Sequence, residues 1–484
     1  MAIPKNRASM TPQRRRFLKA LTAGGLAYAI GRTAGTTFGQ MSGVSGFPDY
    51  KALVCVFLYG GNDSWNMLVP TSTAEYNAYA RSRGAGTSST LAIDKDKLLS
   101  ITTRGFTPGD PTYGLYPEMP EIRDLFNAGR VAILPNVGPL LRPTTKDQYK
   151  GLIGQNHDLP PQLFSHNDQQ DQWNSLRGKF LLNTGWGGRM ADVLAARLGA
   201  QQIPINVSLF GQTLFQAATA VDPYVMGVNG VNTFPGLTVS NDQGPDGWPY
   251  NAGRRQGVDA VLASTIASRD NTYYHRGFAR VQERALRYAD RISQALSSAY
   301  RFNALPDGER LSLLSIQLRT VAKMISQRAR LSMSRQVFLV AIGGFDTHDN
   351  QLDDQPKLLA DVSKSIKAFH DAMNEIGLGE QVTLFTQSDF GRTLTSNGDG
   401  SDHGWGGVQM VVGGAVRGGQ MYGQYPVLEI DGPLEVGGGI LIPTVSSDQY
   451  AATLASWFGV ADSDLPAVAP NVVNFSSRNL GFMV

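Results

Sequence analysis

Five short, almost unbroken apolar runs punctuate the chain: ALVCVFLYGGND (52–63), RVAILPNVG (130–138), INVSLFG (205–211), QVFLVAIGGFD (336–346) and QVTLFTQSDFG (381–391). A strand covered on one face alternates apolar and polar residues. A run without alternation predicts a strand buried on both faces, the habit of parallel sheets. Between the runs, residues 271–300 and 309–333 carry apolar side chains at three- and four-residue spacing, which predicts amphipathic helices. A third helix is predicted from about Gln355 to Ile376, between the run ending at Asp346 and the run ending at Asp389. Strand, helix and strand in that order form a β-α-β crossover. The pattern therefore predicts an α/β fold: a doubly wound, mostly parallel sheet flanked by helices. Residues of about 215–270 are rich in Gly, Asn and Asp and weakly periodic, and they read as a Gly-rich insertion or lid over one sheet edge. Residues 41–484 are expected to form a single domain.

Residues 1–40 stand outside this pattern. Arg14, Arg15, Phe17, Leu18 and Lys19 match the order of a twin-arginine export signal. The weakly apolar stretch behind them, Ala20 to Ile30, is too short to cross a bilayer before Arg32 interrupts it. The alternative is a basic, unfolded N-terminus. The signal predicts a periplasmic or secreted protein, with the twin-arginine translocase as partner during export. No transmembrane anchor is expected after cleavage between Ala34 and Gly46. It also changes the charge. Residues 1–39 hold seven basic side chains and no acidic one, so the whole-chain net charge of +3 becomes −4 without them. Nucleic-acid binding then has no electrostatic support. Cys55 is the one cysteine and lies inside an apolar run, so no intramolecular disulfide can form.

In open α/β sheets ligands bind beyond the C-terminal ends of the strands, and Asp63, Asp346 and Asp389 close three of the apolar runs. GGFDTHDNQ sets Asp346 and His348 two residues apart, a carboxylate and imidazole suited to Zn²⁺ or Mn²⁺, or else a capped turn. In GGNDSWN, Asp63 is either a metal ligand or an ordinary helix N-cap. FSHNDQQDQW holds Ser165, His166 and Asp168. Ser165 reads either as a nucleophile activated by a nearby metal or as an N-cap with an acidic third residue. Gly-x-Ser-x-Gly is absent, which argues against an ordinary α/β-hydrolase.

The stretch TQSDFGRTLTSNGDGSDHGWGG (386–407) fails as a calcium loop, because Asp402 and Val408 stand where Gly and an acid are needed. His403 is expected as a lone imidazole on a flexible segment. Arg392 is either a clamp for a phosphate or sulfate oxygen or the partner of a surface acid. His157, His275 and His370 are read as structural. Trp65, Trp173, Trp186 and Trp405 raise a polymer-binding reading against the usual core role of indoles.

FLYGGNDSWNMLVP, AGRVAILPNVG, FSHNDQQDQW, TGWGGRMAD, GGFDTHDNQ and SDFGRTLTSNGDGSDHGWGG together resemble the bacterial, twin-arginine-exported family known as domain of unknown function 1501, which is placed in the alkaline phosphatase/sulfatase superfamily. The resemblance implies a metal-dependent hydrolase of phosphate or sulfate esters, small or polymeric, with a hydroxyl nucleophile and one or two divalent ions (Zn, Mn, Mg or Ca). It implies that Asp63 is the first-strand ligand, that Asp346, His348 and His403 serve one metal, and that Asp389 serves the other. By the resemblance Ser165 stands at the nucleophile position; His166 and Arg392 are the further catalytic candidates read from the residues themselves. This chain departs from its relatives at Phe390, where Asp-His-Gly is usual. A phenyl ring cannot coordinate, so a second metal would have oxygen ligands alone, or none would bind. The alternative expectation is a non-catalytic binding or envelope-assembly protein on a degenerate fold of this kind.

Overall fold

The computed structural model describes residues 46–152, 158–179, 183–198, 202–231, 236–237, 250–308 and 311–484. The expected export segment and His157 lie outside the described residues. The strands in chain order begin with β1 (Lys51–Leu58), β2 (Leu68–Pro70), β3 (Leu99–Ile101), β4 (Tyr113–Leu115), β5 (Val131–Gly138), β6 (Asn206–Ser208) and β7 (Tyr224–Val225). They continue with β8 (Arg335–Ile342), β9 (Val382–Ser388), β10 (Arg392–Ser396), β11 (Ser401–His403), β12 (Gly407–Gly413), β13 (Gln420–Met421) and β14 (Val445–Ser446).

The main sheet runs β13-β5-β12-β9-β1-β8-β6-β7, with β14 also paired to β5. Strand β12 is antiparallel to both β5 and β9, and the other pairs are parallel. The five apolar runs are β1, β5, β6, β8 and β9. Ala52 to Phe57 in β1 are wholly buried, as a strand with helices on both faces must be. The crossover helix Gln351–Glu375 joins β8 to β9, which flank β1 from opposite sides. The other two predicted helices form as Tyr273–Ser297 and Leu313–Ser326. Residues 215–270 include edge strand β7 and helix Ala252–Ala267, so part of this segment extends the sheet.

This topology positions the site. Strands β1, β8 and β9 are parallel neighbours, so the loops leaving them open at one edge. Strand β12 enters from that same edge because it is antiparallel. Glycine is required where the first loop turns. At Gly60 φ is +114°, and a Cβ there would lie 2.4 Å from the backbone nitrogen of Asp346.

One buried acid outside the histidine cluster sets a pH dependence. Asp448 lies in the first turn of helix Ser447–Phe458, where its carboxylate accepts the Asn471 backbone N–H (2.8 Å). Burial pushes its carboxyl up to about 7, against the pull of the Asn471 hydrogen bonds and the Arg189 charge. The folded state therefore holds this proton more tightly than the unfolded chain. The stabilisation is complete below the unfolded value of 3.8 and is lost as pH rises through about 7. Asp448→Asn should match the native protein in urea unfolding near pH 4 and exceed it by roughly 3–4 kcal/mol above pH 7. Parallel stability profiles for the two proteins would refute the assignment.

Candidate metal centre

Three imidazoles and one carboxylate meet at the sheet edge. His166 begins the helix His166–Ser175, His403 ends β11, and Asp346 and His348 lie in the loop after β8. Asp346 Oδ1 is 3.1 Å from His348 Nε2 and 3.3 Å from His403 Nε2, and its Oδ2 is 3.3 Å from His166 Nε2. Donor atoms of His166, Asp346 and His403 all lie within 4.8 Å of one another. His403 is not on a flexible segment as expected. Strands β10 and β11 pair in a hairpin, with Arg392 opposite His403, and that pairing fixes where the imidazole stands.

Each imidazole is held by an acceptor behind it. His166 Nδ1 is 2.7 Å from Asp389 Oδ2, His403 Nδ1 is 2.8 Å from the Phe164 carbonyl, and His348 Nδ1 is 3.1 Å from Asp402 Oδ1. A carbonyl or carboxylate oxygen can only accept. A neutral ring in each place therefore carries its proton on Nδ1 and turns the Nε2 lone pair toward Asp346. His348 Nε2 and His403 Nε2 stand 2.9 Å apart. Two lone pairs at that distance repel unless a proton or a cation lies between them. Imidazole ligands of metal ions are oriented by just such acceptors, and an N₃O donor set suits Zn²⁺ or Mn²⁺. These residues fit a divalent ion.

The titration of the group agrees. Burial raises the Asp346 carboxyl, but the Arg392 hydrogen bond and charge, with His166 and His348, bring it below the ordinary carboxylate value. Burial lowers the His403 imidazole, and the charges of His166 and Arg392 lower it further, against the Phe164 carbonyl and Asp346. An ionised carboxylate and a neutral imidazole are the ligand forms a metal requires.

The remaining sequence candidates take other positions. Asp389 is buried and its oxygens are taken by protein donors: it accepts His166 Nδ1–H, Gln170 Nε2–H (2.8 Å) and the Gly60 N–H (3.2 Å). Asp63 is buried and pairs with the equally buried Arg83. It also accepts Gln351 Nε2 and caps its short helix through the Trp65 N–H (3.2 Å). Its carboxylate is filled by protein donors, so it belongs to no metal-ligand group among the described residues. Arg392 is buried and gives its donors to Asp346 Oδ1 (2.8 Å), the Ser401 carbonyl (2.6 Å) and the Gly60 carbonyl (3.4 Å). It therefore positions Asp346, an exposed acid, so the expected pairing with a surface acid forms, and that acid belongs to the site.

Ser165 is the N-cap of its helix and its Oγ donates to Asp168 Oδ2 (2.8 Å), within a segment whose neighbours Phe164 and His166 both reach the cluster. Phe390 packs its ring 4.4 Å from that of His403 and 4.9 Å from that of His166. The four tryptophans are buried, two of them hydrogen-bonded to backbone carbonyls, so they offer no surface to a polymer. Arg83, Gln170 and Gln351 were not singled out from the sequence. Gln170 and Gln351 stand within or beside the quoted motifs, whereas Arg83 carries no motif at all.

Fold and site together define an α/β protein with a histidine–carboxylate centre at the C-terminal edge of a parallel sheet. Residues 50–436 match the family described as "Protein of unknown function (DUF1501)", and the chain belongs to that family. No curated protein matches it. Among solved structures, the chain is similar to the lipoteichoic acid synthase LtaP from Listeria monocytogenes, with 7% identity over 88% of this chain and 76% of that one (TM-score 0.34). It is also similar to the PsFucS1 sulfatase from Pseudoalteromonas sp., with 11% identity over 87% and 69% of the two chains (TM-score 0.29).

Asp389→Asn keeps the size of the side chain behind His166 but replaces an anionic acceptor with a neutral amide. Calorimetric titration with Zn²⁺ should show affinity about 10–100-fold weaker than in the native protein. Equal affinity would mean that Asp389 does not orient a ligand.

Proposed function

We propose that the protein is an exported, metal-dependent hydrolase of phosphate or sulfate esters that works with one divalent ion. The observation that carries this reading is the convergence of three imidazole Nε2 atoms on Asp346, each ring fixed from behind by an acceptor. A divalent ion held there supplies Lewis-acid polarisation of an ester oxygen. The residues of the chain do the rest. Arg392 holds Asp346 ionised and in place. The Ser165 hydroxyl is the nucleophile, and its proton passes along the existing hydrogen bond to Asp168. Export rests on the twin-arginine order of Arg14 and Arg15, and no helix among the described residues is long and apolar enough to cross a membrane.

A second reading, a non-catalytic envelope protein, draws support from Asp63 and Phe390. The first is committed to Arg83 and the second cannot coordinate. Metal analysis and turnover separate the two. The hydrolase reading expects about one bound Zn²⁺ or Mn²⁺ per chain and hydrolysis of 4-nitrophenyl phosphate or sulfate. It expects Ser165→Ala to reduce kcat on the order of 10³-fold or more while the metal content stays the same. A chain that binds no divalent ion and turns over neither ester would be the non-catalytic protein.

A further inference from the structure

Helices Ala252–Ala267 and Tyr273–Ser297 follow one another along the chain and pack together. The second carries an apolar seam at alternating four- and three-residue spacing: Tyr274, Phe278, Val281, Ala285, Tyr288 and Ile292. Its C-terminal half is used by the fold, because Ile292 is buried in the core and Tyr288 packs against it. Its N-terminal half is left uncovered. Tyr274 is 84% exposed, Phe278 67% and Val281 51%, with Tyr273 (75%) beside them and Val261 (65%) on the neighbouring helix. No other set of large apolar side chains in the described residues is so exposed and so closely spaced.

The charge of this hairpin opposes that of the rest of the molecule. Residues 252–297 contain eight arginines and four acids, a net +4. Residues 46–484 as a whole carry −4, which leaves −8 on the part of residues 46–484 outside the hairpin. Arg269 and Arg280 are exposed and make no ion pair or side-chain hydrogen bond among the described residues. We propose that this hairpin docks the protein on an anionic lipid surface, with Tyr273, Tyr274 and Phe278 entering the headgroup layer and the arginines facing lipid phosphates.

Charge complementarity selects this occupant. Two hairpins of like charge repel, and a handful of apolar side chains falls well short of the roughly 20–30 residues a side that a stable protein interface uses. An anionic bilayer attracts the hairpin and repels the acidic remainder, so it both binds the protein and orients it. Tyrosine, with an apolar ring and a polar tip, suits the boundary between headgroups and chains.

Co-sedimentation of the compact unit of residues 46–484, which lacks the seven basic side chains of the first 39 residues, tests the proposal, using vesicles of phosphatidylglycerol mixed equally with phosphatidylcholine against vesicles of phosphatidylcholine alone. The native protein should pellet with the first and stay in solution with the second, and binding should weaken as salt rises. Because one arginine near an anionic surface is worth about fivefold in partitioning, Arg269→Gln with Arg280→Gln should weaken binding roughly 25-fold. Tyr274→Ser with Phe278→Ser should weaken it about tenfold, and all these side chains are exposed, so melting temperatures should not move. The arginine pair decides the matter alone if the aromatic pair fails to fold. Equal binding to both vesicle types, or variants that bind like the native chain, would overturn the proposal. So would a vesicle-free dimer that Tyr274→Ser with Phe278→Ser dissolves.

Discussion

Negative charge cannot be buried bare, and this constraint organises the functional edge of the molecule. Strands β1, β8 and β9 are parallel neighbours, so the acids behind them, Asp63, Asp346 and Asp389, arrive at one edge. Moving a carboxylate out of water without compensation costs several kcal/mol. Each of the three is compensated differently. Asp63 takes a buried arginine, the Gln351 amide and the Trp65 N–H of the helix it caps. Asp389 takes an imidazole, an amide and a backbone N–H. Asp346 alone remains half exposed, with one guanidinium behind it and three imidazoles around it. The chemistry of the site follows from that division: two acids are consumed by structure and one is left open to bind something.

Local information made most of the fold legible. Strands buried on both faces read as unbroken apolar runs, and the crossover helix shows its periodicity because one face packs on the sheet. Asp346, His348 and Asp389 were legible for a similar reason, since they follow strands directly. Compensation was not legible. Arg83 stands 20 residues from Asp63 with nothing in between to announce the pair, and a backbone carbonyl such as that of Phe164 has no side-chain signature. The hairpin β10–β11 looks like a flexible segment in sequence because Asn397, Gly398 and Gly400 are turn residues, and its two strands span five and three residues. Short strands closed by such a turn carry too few alternating positions to be told from coil.

The same locality explains why the roles of Asp389 and His166 exchange between sequence and structure. By position, Asp389 is a strand-end acid and so a ligand candidate, while His166 sits one residue from a candidate nucleophile. In three dimensions the imidazole lies between Asp389 and Asp346, with Nδ1 on one and Nε2 on the other. An acid that orients a histidine and an acid that binds a metal look identical in sequence, because the difference lies only in which atom comes next.

Phe390 then acquires a physical reading beyond the loss of a ligand. Its ring lies against Gly61, where φ is +86° and a Cβ would stand 2.2 Å from the ring carbon Cε2. Only glycine at 61 leaves room for a ring at 390. That ring in turn packs against both His403 and His166, on sides of the imidazoles that water or another ligand would otherwise reach. An apolar wall there lowers the local dielectric, which strengthens every electrostatic interaction in the centre. It also disfavours a second cation beside Asp389, and at Asp63 the Arg83 guanidinium already supplies the positive charge that such an ion would bring. Gly61, Arg83 and Phe390, from three elements of the chain, therefore all act against a second cation at this edge, and the open carboxylate of Asp346 among the histidines is the position that fits one.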